Sequence, residues 1–212
     1  METITSYLRW SLRTQTVEYV MSPEKTEIVW AEFRHDPRLK SVLLSTELTI
    51  IGGRAFAHCP LLHSVEMPCP HLYHLGEAVF KGCVSLKHLD LSVCKHIRHL
   101  PPAFAAKCRE LKTCVLPPYL ETIGECAFAG CEKLESVRFP STLVAIQSGA
   151  FQQARSLLTV QIPASLSTLG NYAFAGCRQL KSVVFADPRF RERIFDDNKW
   201  ECVFIGCPRL GS

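Results

Sequence analysis

The chain has 212 residues, of which 47% are hydrophobic and 21% charged, and its formal net charge is +4. That composition supports a sizeable core and excludes global disorder, while so mild a charge, with no Lys/Arg block, makes no case for nucleic acid as a partner. No apolar run reaches the roughly 18 residues a membrane-spanning helix needs, so no membrane span is expected.

At the N-terminus, Met1 to Gln15 carries Glu2, Arg9 and Arg13 and lacks the apolar centre of a secretory signal. The chain also has eleven cysteines, an odd number. Together these point to a reducing compartment, so free thiols and an intracellular, cytoplasmic location are expected. Thr3 to Pro23 reads as a worn copy of the unit that follows: Trp10 sits 23 residues before Phe33, and Tyr19 and Met21 stand where Val42 and Leu44 would be. Terminal repeats are atypical because they must present a soluble outer face, so residues 1–27 are expected to form an N-terminal cap.

From residue 28 to 212 the chain repeats. Phe33, Phe56, Phe80, Phe104, Phe128, Phe151, Phe174 and Phe204 are spaced by 23, 24, 24, 24, 23, 23 and 30 residues. A leucine follows each one: Leu39, Leu62, Leu86, Leu111, Leu134, Leu157, Leu180 and Leu210. In the clearest copy, Ile123, Ala127, Cys131 and Leu134 share one face of a helix, with Phe128 beside it. The period then changes to two at Val137 and Phe139, which predicts a short strand ended by Pro140. One unit cannot bury enough apolar surface to offset the entropy of ordering it, so the units must stack. In the copy that begins at Leu100, Cys108 falls one residue late relative to Phe104, which predicts a local helix bulge.

The pattern Ile123-Gly124-x-x-Ala127-Phe128-x-Gly130-Cys131-x-x-Leu134-x-x-Val137-x-Phe139-Pro140 resembles the BspA-like leucine-rich repeat. It recurs in Leu169-Gly170-x-x-Ala173-Phe174-x-Gly176-Cys177-x-x-Leu180. The resemblance extends from about Ile28 to Leu210. It implies an α/β repeat solenoid, a leucine-rich-repeat horseshoe or arc. Each ~23-residue repeat would supply one short parallel strand to a concave sheet and one short helical segment to the convex side. It also implies a protein-binding, non-enzymatic scaffold without a cofactor. The alternative is a secreted or cell-surface adhesin of the same fold, and a metal-binding protein is a distant third.

Three sets of residues are candidate sites. Strand alternation turns Leu43, Glu66, Asp90, Val115, Arg138, Gln161 and Val184 outward on the concave face as a protein-binding row. A row of Ser41, Ser64, His88, Thr113, Ser136, Thr159 and Ser182 lies before it. Cys69-x-His71-x-x-His74 and Cys94-x-His96-x-x-His99 fall at equal offsets in adjacent repeats. Zinc accepts such ligands, although ordinary exposed turn positions explain them more simply. The repeat cysteines, Cys59, Cys83, Cys108, Cys131, Cys177 and Cys207, read as small buried fillers.

The third set lies in an insertion at about 186–200, before the last, truncated repeat. It carries Arg189, Arg191, Arg193 and Trp200, with Phe190, Ile194 and Phe195. The last full strand, Val183 to Phe185, would be an open edge unless this insertion covers it. The C-terminal end is therefore expected to contact another protein or to join a larger complex. No phosphate-cradling loop, H-E-x-x-H or G-x-S-x-G is present, so no enzymatic activity is expected.

Overall fold

The structure is a computed structural model that describes residues 7–11, 16–190 and 197–211. In chain order the first strands are β1 (Tyr7–Ser11), β2 (Thr16–Val20), β3 (Glu27–Ile28), β4 (Leu39–Leu43), β5 (Ile50–Ile51), β6 (Ser64–Glu66), β7 (His74–Leu75) and β8 (His88–Asp90). They continue as β9 (His99–Leu100), β10 (Thr113–Val115), β11 (Thr122–Ile123), β12 (Ala145–Ile146), β13 (Thr159–Ile162), β14 (Thr168–Leu169) and β15 (Ser182–Phe185), and helix α1 (Asp197–Phe204) follows.

These elements are the walls of stacked coils. One wall consists of β1-β2-β4-β6, then β8-β10, then β13-β15. A second wall consists of β3-β5-β7 and β9-β11-β12-β14. Pairing between coils is parallel and keeps the repeat register, as in Val42 opposite Val65 and Ile123 opposite Ile146. At the N-terminal end β1 folds antiparallel onto β2, and β2 pairs parallel with β4, with Tyr19 opposite Val42.

The expected helical segment of each repeat is absent. None of the described residues from Thr16 to Arg189 is helical. The third wall is made of turns, and the reason lies in the backbone. Two residues four apart take positive φ in coil after coil: Ala31 and His35, Arg54 and His58, Ala78 and Gly82, Ala103 and Lys107, Cys126 and Gly130, Gly149 and Gln153, Tyr172 and Gly176. A right-handed helix cannot hold such a pair. The N–H groups that a helix would use internally donate to the next coil instead. Arg54, Phe56 and His58 bond to the carbonyls of Glu77, Val79 and Lys81 at 2.7, 3.0 and 2.7 Å. The helical spacing of Ile123, Ala127, Cys131 and Leu134 thus reports one buried side of a turned coil.

The core runs along the stack as ladders of like residues. Phe56, Phe80, Phe104, Phe128, Phe151 and Phe174 are fully buried, as are Leu39, Leu62, Leu86, Leu111, Leu134, Leu157 and Leu180. Neighbouring phenylalanine rings lie 5.3 to 6.1 Å apart, from Phe33 through to Phe204. Most are parallel, but Phe104 stands at 84° to Phe80 and 78° to Phe128. No bulge is present there. The inter-coil bonds put Ala105, not Phe104, in the backbone place of Phe80 and Phe128: Phe80 N–H meets Phe104 O at 2.8 Å, and Ala105 N–H meets Ala127 O at 2.7 Å. The order Ala-Phe has become Phe-Ala, and the ring reaches the same stack from the neighbouring position, turned on edge.

The repeat thiols join the same network. Those of Cys59, Cys83, Cys108, Cys177 and Cys207 donate to the carbonyls of Phe33, Phe56, Phe80, Phe151 and Phe174, at 3.0 to 3.4 Å. They are more than fillers, because each joins its coil to the one before.

Candidate functional site

On the first wall the residue between two inward side chains faces solvent. Leu43, Glu66, Asp90, Val115, Arg138, Gln161 and Val184 are all exposed. Their register is direct, with Leu43 opposite Glu66, Asp90 opposite Val115 and Gln161 opposite Val184. The row before it is also in register, with Ser41 opposite Ser64, His88 opposite Thr113 and Thr159 opposite Ser182. His88 Nδ1 lies 2.8 Å from Thr113 Oγ1.

This wall is not a continuous sheet. Leu44 N–H reaches Glu66 O and Leu91 N–H reaches Val115 O, both at 3.0 Å. Among the described residues no corresponding bond leaves Met67, Leu116 or Phe139. The strand expected at Val137 to Phe139 does not form. Val137 is buried and Arg138 exposed, as alternation requires, but the contact with the preceding coil is a single bridge between Thr113 and Ser136, beside a bond from Glu135 N–H to Lys112 O at 3.2 Å.

Clefts lie at both openings. One, of about 320 Å³, is lined by Glu66, Met67, Asp90 and Ser92. Two more flank Arg138: about 380 Å³ with Thr113, Val115, Ser136 and Phe139, and about 490 Å³ with Ser136, Phe139, Thr159 and Gln161. At the first opening two carboxylates occupy adjacent places in the row, and like charges set opposite each other destabilise strand pairing. Asp90 also turns its Oδ1 to the N–H of Ser92, 2.8 Å away. Glu66 beside Asp90 is a sequence signal that could have marked this opening. The opening at Arg138 has no such signal.

The two Cys-x-His-x-x-His triplets are pulled apart. Cys69 and Cys94 point into the core with no exposed surface, and the Cys69 thiol donates to Ser45 O at 3.2 Å. Burial raises the Cys69 thiol to about 12 and the Cys94 thiol to about 11. His71, His74, His96 and His99 face solvent. Two residues along the coil the chain has turned from inside to outside, so the six side chains do not converge. Among the described residues no three metal-ligating side chains do.

At the C-terminal end β15 is the edge of its sheet, and Val184 is 53% exposed. Phe190 is buried, and its ring stacks on Phe185 at 5.6 Å, so the start of the insertion covers part of this edge. Arg189 is exposed and lies 3.8 Å from Asp187. Arg191, Arg193, Ile194 and Phe195 lie outside the described residues, and Trp200 falls in α1. The end of α1 closes the turn wall: carbonyls of Cys202, Val203 and Ile205 accept from Tyr172, Phe174 and Gly176 at 3.2, 3.1 and 2.7 Å. A cleft of about 480 Å³, lined by Tyr172, Glu201, Phe204, Ile205 and Leu210, opens beyond it.

A family model described as the BspA type leucine rich repeat region matches this chain in six copies, over residues 26–102 and 98–206. No curated protein matches the chain in sequence. Among solved structures, a leucine rich cell surface protein from Faecalibacterium prausnitzii is similar with a TM-score of 0.65 at 19% identity, over 89% of this chain and 55% of that one. The chain thus spans about half the length of that relative. A leucine rich repeat protein of T. pallidum is similar with a TM-score of 0.57 at 19% identity, over 100% of this chain and 99% of that one. Both likenesses are of fold.

Proposed function

The chain belongs to the BspA-type leucine-rich-repeat family, and from that premise we propose that it is a non-enzymatic protein-interaction scaffold. Its binding row is Leu43, Glu66, Asp90, Val115, Arg138, Gln161 and Val184. The observation that carries this reading is the opening of the strand wall beside Glu66 and Asp90 and again beside Arg138. There clefts of about 320 to 490 Å³ place charged side chains next to backbone N–H groups without a partner in the wall. Repeat solenoids bind through extended surfaces of this kind. The row offers two acids followed, two coils on, by a base, so it favours a partner segment that carries the opposite order of charge.

We further read residues 1–27 as the cap of the stack and the C-terminal end, with Val184 and Arg189, as a second contact. We keep the intracellular location as part of this proposal, on the odd cysteine count, with a secreted adhesin of the same fold as the alternative. The test is co-purification from native lysate with the wild type, a Glu66→Lys/Asp90→Lys/Arg138→Glu variant and a Glu125→Ala/Gln152→Ala/Arg178→Ala variant. A partner kept by the wild type and the last variant, and lost by the strand-wall variant, supports the reading. A partner kept equally by all three contradicts it.

A further inference from the structure

The turn wall gathers basic residues that are about 23 apart in sequence. Arg34 and His35 lie on one coil, His58 on the next, Lys81 on the third and Lys107 on the fourth. His35, His58, Gly82 and Lys107 occupy equivalent places of positive φ. At ~4.8 Å per coil the stripe spans about 14 Å. The imidazoles of His35 and His58 stack at 4.9 Å and 7°. The His58 ring lies on the backbone of Gly82, where an added Cβ would come within 2.5 Å of Nδ1.

Among the described residues Arg34, Lys81 and Lys107 have no carboxylate partner, although Arg54 with Glu77 and Lys25 with Glu32 are paired nearby. The adjacent acid, Asp36, is engaged by the N–H of Arg38 at 2.8 Å. His58 is held below its ordinary value by burial and by the charges of His35, Lys81, Arg34 and Lys107. The cations therefore load one another, and the one adjacent carboxylate, Asp36, is turned to Arg38.

We propose that this stripe binds an acidic segment of a partner protein, independently of the strand wall. The stripe runs across four coils, which suits it to a linear polyanion more than to a single small anion. It has none of the interleaved large aromatics that base stacking needs, which favours a carboxylate-rich peptide over nucleic acid. The turn wall acquires a role because stacking, not sequence proximity, assembles the charge.

The probe is a labelled oligoglutamate peptide long enough to cover the stripe, followed by fluorescence anisotropy with the intact chain. Lys81→Ser/Lys107→Ser is expected to weaken binding about tenfold, a loss of roughly 1.4 kcal/mol. The charge-matched Arg178→Ser/Lys181→Ser is expected to leave it unchanged. Binding should fade near 1 M salt, where the screening length is about 3 Å. Independently of any variant, the peptide should raise the pKa of His58 in an NMR titration and bind more tightly as the pH falls from about 7.5 to about 6. Absence of binding by the wild type, equal loss in the two variants, an unmoved His58, or tighter binding of an RNA of equal charge would each overturn the proposal.

Discussion

The thiol of Cys131 points at the carbonyl of Ala105, 3.2 Å away, where the other repeat thiols meet the carbonyl of a phenylalanine. This contact identifies Ala105 as the backbone equivalent of Phe80 and Phe128, and it explains why Phe104 enters the aromatic stack at right angles. Phe104→Ala should cost ~3–5 kcal/mol, because it removes a fully buried ring and leaves a cavity. Adding Ala105→Phe should recover much of that loss by restoring the Ala-Phe order of the other coils. Denaturant midpoints of the two variants check this, and a double variant less stable than the single one would contradict the register. Phe128→Ala, within the regular order, should cost a similar ~3–5 kcal/mol with no such rescue.

The eleven cysteines are expected to be thiols in the native protein. Eight of them are buried, and Cys126, Cys202 and Cys207 are partly exposed. Alkylation of the native protein should modify those three first and the rest only on unfolding, with all eleven modified under non-reducing denaturation. Stoichiometric disulfides in the mass spectrum would favour the secreted alternative.

Those thiols also set an alkaline limit. Burial raises Cys59 to about 11 and Cys114 to about 12, from an ordinary 9.0. The folded state holds these protons more tightly than the unfolded state. The stability they contribute is therefore complete below about pH 9 and is lost as the pH rises towards 12. Thermal melts should show Tm falling from pH 9 upwards. A flat Tm up to pH 11 would contradict the burial of these groups.

Zinc should not be held by the paired Cys-x-His-x-x-His triplets, because their cysteines point inward and their histidines outward. Elemental analysis after chelator-free purification should find well under one metal per chain. A full equivalent that is lost on changing His74 and His99 to Ala would overturn this.

At the C-terminal end, charge reversal at Arg189, Arg191 and Arg193, or Val184→Glu, is expected to weaken partner binding or drive self-association. Changes at Glu125, Gln152 and Arg178 should do neither. Light scattering and binding assays on both sets decide it, with equal effects counting against a role for this end.

Much of the fold was legible in the sequence because stacking makes the same demand in every coil. Phe, Leu and Cys return at one period, and the outward row from Leu43 to Val184 follows from alternation alone. The turn wall was misread because Ile123, Ala127, Cys131 and Leu134 present the same buried spacing in a helix as in a coil bent at Cys126 and Gly130. Only the backbone angles separate the two, and non-glycine residues such as Arg54 and Tyr172 give no warning of positive φ. The opening at Arg138 was hidden because Val137 and Phe139 alternate correctly whether or not the ladder closes. The basic stripe from Arg34 to Lys107 was hidden because its members are neighbours only across coils.

The most direct measurement is hydrogen–deuterium exchange of the strand wall, with and without a captured partner. Among the described residues Arg138 and Phe139 have no inter-coil bond for their N–H groups, so both should exchange fast in the free protein. Binding should protect the segments at 66–67, 90–92, 113–118 and 136–140, and leave the bonds of Phe56, Phe128 and Phe151 in the turn wall as they were. Protection confined to the turn wall or absent from 136–140 would contradict the account.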